Sequence, residues 1–317
     1  NTADSIIVGN FVGSNALAAV GSSGSPIFLL IGFSQGIAVG AGVVVSQFLG
    51  AKDREGAHTA VHTSLALSAI LGAILTVCGI AVSRALLTAM NTPAEVLEDA
   101  VLYMRLYFGG VLFSVVYNMA AGILNAAGNS KRSLLYLGVA SITNIVLDLV
   151  LIAGCKMGVA GAAIATVAAQ LISTVACFIY AFAKYPQLRL HREDMRITRG
   201  DIRRHVVQGV PLGLQFSVLA IGIIVMQGVV VQFDMLDGVM VSSSAQMGFG
   251  AANKLSNLTA TPMNALGTAM TSFTAQNLGA GYTHRIRKGI LQGLVMAAII
   301  GVCSVGPGPV SYTHLTL

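Results

Sequence analysis

The 317-residue chain is 55% hydrophobic and only 9% charged, with a mean hydropathy of +0.79. Too few polar side chains remain to cover a soluble surface of this size, which excludes a water-soluble globule. The net charge of +6 would suit a nucleic-acid binder, but most of the basic residues fall in the turns and the linker between apolar runs. That is the pattern of membrane topology, and no nucleic-acid partner is expected.

The apolar runs are long and rich in Gly and Ala, as in helices that pack through small residues, and lack the alternation of an outer-membrane barrel. The expected fold is all-α and polytopic. Residues 1–13 are too short to cross a core of about 30 Å and read as the second half of a helix whose start is missing. A long, bent helix with Pro26 follows over 16–48. After the charged turn AKDREGAH at 51–58, a third span covers 59–87. The segment NTPAEVLED at 91–99 sets Thr-Pro and three acids ahead of a fourth span that runs to 124, which suits a helix N-terminus.

The turn NAAGNSKRS at 125–133 leads to a fifth span over 134–153, and the tight turn GCKMG to a sixth over 159–184. Residues 185–205 form the long polar linker between a first lobe, 1–184, and a partial second lobe, 206–305. The second lobe holds a seventh span to 233, an acidic turn around Asp234 and Asp237, a long eighth span over 239–275 with Pro262, and a ninth from 288. The ending GPGPVSYTHLTL, 306–317, breaks the helical pattern with Pro, Gly and Thr and is expected to be non-native. Cys78, Cys155, Cys177 and Cys303 show no CxxC spacing and are expected to be buried, inert thiols.

Charge sets the orientation. If the first helix runs outward, the inner turns hold Lys52, Arg54, Lys131, Arg132, Lys184, the arginines of the linker, Arg285, Arg287 and Lys288. The outer turns hold Arg84 and Lys156 beside Glu95, Glu98, Asp99, Asp234 and Asp237. The positive-inside rule supports this arrangement, with lipid head groups as a second use for the basic linker.

The stretch SITNIVLDLVLIAG, Ser141–Gly154, places Asn144 and Asp148 in an apolar run. Positions i and i+4 lie about 40° and roughly 6 Å apart on a helix, so the two share a face. An acid in hydrocarbon costs about 2.5–3.5 kcal/mol, so Asp148 needs a partner or a purpose. Asp148 lies about eight residues before the GCKMG turn and Thr166 about eight after it, which puts both roughly 12–14 Å below one membrane face. Asp4, ahead of the turn near Gly13, has a similar depth. Two carboxylates in one layer can hold a proton or a hard cation. The alternative for Asn144 and Thr166 is plain interhelical hydrogen bonding. Gln35, Gln215, Gln227 and Lys254 are candidates to line a cavity, with interhelical bonding, or snorkelling for Lys254, as the competing roles.

An internal repeat supports two halves. SQFLGA at 46–51 matches AQNLGA at 275–280, and the same offset pairs Ser14 with Ser243, Gly21 with Gly250 and Leu29 with Leu258. Six helices separate the copies, so the halves run the same way through the membrane and are related by an axis along its normal.

These blocks, with ALAAVG at 16–21, NAAGNSKRS, NIVLD at 144–148 and MGVAGAAIAT at 157–166, make the chain resemble bacterial transporters of the multidrug and toxic-compound extrusion (MATE) family. The resemblance implies a bundle of two six-helix lobes, of which about nine helices are present, lacking the start of the first and the last three. It implies secondary active efflux of small amphipathic, often cationic compounds against Na⁺ or H⁺, by a multi-pass, monomeric protein of the bacterial inner membrane with no enzymatic activity and no cofactor. It also implies a cation site at Asp4, Asn144, Asp148 and Thr166, with the carbonyl of Ala162 as a further ligand. The competing expectations are a lipid-linked oligosaccharide flippase of the same superfamily and a non-functional truncated transporter.

Overall fold

The structure, a computed structural model, describes residues 2–90, 92–185, 197–236, 239–240 and 244–305. The suspected tail 306–317 and most of the polar linker lie outside the described residues. The chain divides into two compact units, Asn1–Val45 with Asp53–Ile224, and Ser46–Lys52 with Val225–Leu317.

The helices are α1 (Thr2–Phe11), α2 (Ser14–Gly50), α3 (Arg54–Ala89), α4 (Ala94–Gly109), α5 (Val111–Ala126), α6 (Ser130–Asp148), α7 (Gly158–Lys184), α8 (Arg199–Gln232), α9 (Ser244–Gly279) and α10 (Thr283–Val305). They follow the nine expected segments in order, with the fourth split in two. Among the described residues, six helical segments are long and apolar enough to cross a membrane, and α4 with α5 makes a seventh if counted as one bent span.

Local chemistry accounts for the helix ends. Asp53 caps α3, accepting the Gly56 N–H at 2.9 Å. Thr198 and Asp201 form a reciprocal box at the start of α8: the Asp201 carboxylate accepts the Thr198 N–H at 3.1 Å, and the Thr198 hydroxyl accepts the Asp201 N–H at 3.2 Å. Between α1 and α2 the chain turns through Gly13 at φ +121°, a conformation side chains oppose.

The first unit is built on α3, α4, α5, α6 and α7, around a core that includes Leu87, Met104, Phe108, Val111 and Ala163. The expected fourth span consists of two helices, α4 and α5. It bends by 48° between Gly109 and Val111. The Gly109–Gly110 pair lets the helix break, and α7 packs into the break, where a Cβ at Gly110 would collide with the Val167 side chain. The fifth span ends differently as well, passing at Asp148 from α-helix into a π-helical turn, Leu149–Gly154.

Helices α2 and α8 meet through two Gly-x-x-x-Gly faces running antiparallel. Cβ atoms on Gly36 and Gly40 would strike the backbones of Leu212–Gly213 and Gln208–Gly209, respectively. Such contacts let helix backbones approach where no hydrophobic effect draws them together. The outward faces are apolar, with Val77, Leu134 and Ile142 about two-thirds exposed, as lipid contact requires. Cys177 is buried, but Cys78 and Cys303 are exposed on helix surfaces and Cys155 is exposed in the turn before α7, against the expectation of burial.

In the second unit, the expected acidic turn contains a two-residue antiparallel pair, β1 (Met235–Leu236) and β2 (Val239–Met240), with Met235 opposite Met240. Helix α9 therefore starts at Ser244, later than the sequence suggests. The buried Asp234 carboxylate accepts the Ala245 N–H at 3.0 Å, which suits an acid at a helix N-terminus. Helices α9 and α10 pack through Gly289 against Phe273 and Gly293 against Met270. The repeated blocks meet in this unit: Gly50 lies against the Gln276 carbonyl and Gly279 against the Gln47 carbonyl.

Candidate cation site

Helices α1, α6 and α7 bring the sequence-predicted residues together inside the first unit. Asp4 stands near the start of α1, with Ile7 and Val8 of the same helix in the core. Asn144 and Asp148 occupy one face of α6, and Thr166 lies one turn beyond Ala162 on α7. Asp148 is fully buried and Asp4 is 1% exposed.

The Thr166 hydroxyl is the junction. It stands 3.3 Å from Asp4 Oδ2 and 3.0 Å from the Ala162 carbonyl, and it accepts from Asn144 Nδ2 at 3.3 Å. One hydroxyl proton serves two acceptors, so the bond to Asp4 and the bond to Ala162 are alternatives. Among the described residues, no amide, alcohol or basic side chain donates to either oxygen of Asp148. The charged group that faces it is the carboxylate of Asp4. A buried anion set against a second anion is unstable unless a proton or a cation joins them.

Two further residues border the acids. Tyr103 and Tyr107 of α4, both buried, lie within electrostatic range of Asp4, and Tyr103 also of Asp148. Their rings are 6.3 Å apart, and the Tyr107 hydroxyl pairs with Ser114. Sequence reasoning passed over them. The signal was there in two phenols at i and i+4 in a helix, but on an apolar face that spacing also describes ordinary core packing.

The other candidates are not drawn into this cluster. Gln35 and Gln215 are exposed, and Gln227 is half-buried with a polar partner of its own. Lys254 falls within α9, and its side chain lies outside the described residues.

The MatE family model matches residues 1–150 and 222–305, well over half of the chain. The chain belongs to the MatE family. Its relatives include the probable multidrug resistance protein YoeA of Bacillus subtilis, 30% identical over 93% of this chain and 63% of the relative. A second is the FAD transporter of Shewanella oneidensis, 28% identical over 89% of this chain and 62% of that protein. Among solved structures, an outward-facing multidrug resistance MATE transporter superposes with a TM-score of 0.85, at 27% identity, over 96% of this chain and 66% of the other. The chain thus spans just under two thirds of these relatives' lengths. The MatE family is one of transporters, not enzymes, and this member is a multi-pass membrane protein whose named relatives are bacterial.

Within the MatE chain, the cluster offers two carboxyl groups, a hydroxyl, a backbone carbonyl and the amide of Asn144, each of which carries an oxygen. That all-oxygen set suits a hard monovalent cation or a proton. Binding either would remove the clash between Asp4 and Asp148 and free the Thr166 proton for Ala162.

Proposed function

We propose that the protein of which this chain forms a part is a secondary active exporter that moves small amphipathic, often cationic, organic compounds out of the cell in exchange for Na⁺ or H⁺. The observation that carries this reading is the Asp148 carboxyl group, fully buried, facing the carboxyl group of Asp4 and, among the described residues, without an amide, alcohol or basic donor. In this scheme the coupling ion binds among Asp4, Asn144, Asp148, Thr166 and the Ala162 carbonyl. Its arrival changes the charge between α1, α6 and α7 and so biases the lobe between two packings. The lobes correspond to residues 1–184 and 206–305, joined by the linker 185–205, with the basic turns on the cytoplasmic side. The relatives named for multidrug resistance support the substrate class.

The test is accumulation of a fluorescent organic cation in energised cells or vesicles, with and without an imposed Na⁺ or H⁺ gradient, for the full-length protein and its Asp148→Asn variant. Coupled efflux is expected to vanish in the variant while insertion persists. Efflux of wild-type size from Asp148→Asn overturns the proposal. The relative named as an FAD transporter favours a second reading in which the cargo is a flavin nucleotide. Replacing the cation by FAD in the same assay separates the two cargoes.

A further inference from the structure

The first unit contains an apolar cavity of about 180 Å³, remote in sequence from the carboxylate site and walled by α2, α3, α5 and α8. Leu67, Leu71, Met119 and Val210 line it, and its polar side chain is His205. That ring is already engaged, with Nδ1 2.8 Å from the Asp201 carbonyl and Nε2 3.0 Å from the Ser64 hydroxyl. The cavity therefore offers nothing to anchor water or a polar ligand. Its margin is formed by Ile70 and Ile74, which are 57% and 53% exposed on a helix that crosses the bilayer. An apolar space that opens between membrane helices is filled by hydrocarbon.

The sequence of α8 says which hydrocarbon. At about 100° per residue, Arg199, Arg203, Val206 and Val210 fall within an arc of roughly 60° on that helix. Val206 and Val210 line the cavity, and Arg199 and Arg203 are exposed on the same stripe nearer the helix start. Asp201, the acid of this turn, sits about 160° away from the stripe and is held by Thr198. The stripe thus runs from two guanidinium groups to an acyl-sized apolar slot over roughly 10 Å. That is the order of groups in a phospholipid, with the phosphate first and the chain behind it. Two arginines repel an amphipathic cation and attract an anionic head group.

We propose that this cavity binds one acyl chain of an anionic phospholipid whose phosphate is held by Arg199 and Arg203. The site ties α3 to the first turns of α8 through the lipid. It is independent of the cation site and of the transport reading.

The chain contains no Trp, so a single introduced indole is an unambiguous reporter. Ile70→Trp places it at the cavity margin, and Val146→Trp on the exposed face of α6 serves as the remote control. Each variant is reconstituted in phosphatidylcholine vesicles containing phosphatidylglycerol or phosphatidylcholine with brominated chains at equal mole fraction. Brominated phosphatidylglycerol is expected to quench Ile70→Trp at a mole fraction several-fold lower than brominated phosphatidylcholine. The preference should fall by about 5-fold for each of Arg199→Gln and Arg203→Gln, the equivalent of about 1 kcal/mol per basic residue. Val146→Trp should show no preference. Equal quenching by the two lipids at Ile70→Trp, or a preference that survives the double arginine substitution, overturns the proposal. Native mass spectrometry of the unsubstituted chain, released from mixed micelles of the two lipids, reads the same site without a Trp. Retained phosphatidylglycerol that disappears in Arg199→Gln/Arg203→Gln supports it, and equal retention of both lipids refutes it.

Discussion

Gly50 and Gly279 make one reciprocal crossing of α2 and α9: each glycine rests against the carbonyl oxygen of the glutamine three residues before the other. A Cβ at either position would overlap that oxygen, and backbone cannot swing aside as a long side chain can. Gly50→Ala and Gly279→Ala are therefore each expected to lower the thermal unfolding midpoint of the detergent-solubilised chain, by the equivalent of about 1–3 kcal/mol. Gly138→Ala, where a Cβ meets nothing, should be neutral or stabilise by up to about 1 kcal/mol, because Ala is the better helix former. Equal midpoints for all three variants would refute a packed crossing.

The carboxylate site makes a prediction in the opposite direction. Asp148→Asn replaces a buried anion by a neutral side chain of the same shape, removing the repulsion from Asp4. In buffer without Na⁺ at neutral pH, this variant should melt at a higher temperature than the unsubstituted chain. Added Na⁺, or acid if the proton is the ligand, should raise the midpoint of the unsubstituted chain, by about 1.4 kcal/mol equivalent at ten times the dissociation constant. The same additions should leave Asp148→Asn nearly unmoved. A variant that keeps the full cation and pH response would show that Asp148 is not part of the site.

Much of this site is legible in the sequence because helix geometry does the work. Asn144 and Asp148 share a face at i and i+4, and a single turn places Thr166 across from them, so counting residues is enough to bring them level. The reciprocal contact of Gly50 and Gly279 lies in the one block that repeats clearly between the halves. What escaped was decided by tertiary fit. Gly109 and Gly110 look like ordinary small residues in an apolar span, and only the position of Val167 on another helix turns them into a 48° bend. Tyr103 and Tyr107 read as core until α1 sets Asp4 beside them. The π-helical turn after Asp148 has no Pro or Gly to announce it until Gly154, its last residue. Such turns recur at functional sites, and this one begins directly after Asp148, a residue of the proposed cation site.

Thr166 tests whether the cluster is a ligand set or a packing contact. Thr166→Ser keeps the hydroxyl that links Asn144, Asp4 and Ala162 and loses a methyl group. Thr166→Val keeps the shape and loses the hydroxyl. If the oxygen matters for the cation, Thr166→Ser should retain the Na⁺- or acid-induced rise in melting midpoint and Thr166→Val should lose most of it. Thr166→Val should also cost about 1–2 kcal/mol of stability, since the Asn144 amide keeps its donor without an acceptor. Indistinguishable cation responses in the two variants would assign Thr166 a purely structural role.

The bend between α4 and α5 can be tested by repairing it. Gly110 has φ −107° and ψ 3°, a conformation open to alanine, and the nearest obstacle to a side chain there is Val167. Gly110→Ala should therefore destabilise the chain by about 1–3 kcal/mol through overpacking. Val167→Ala, at a half-buried position, should cost about 1 kcal/mol by losing apolar contact. The double variant adds one methyl group and removes two across the same gap, and it should be more stable than the sum of the two changes predicts, by at least about 1 kcal/mol. Thermal unfolding of the four proteins closes the cycle. Strict additivity would mean that α7 does not hold the bend, and that its cause lies elsewhere along α4 and α5.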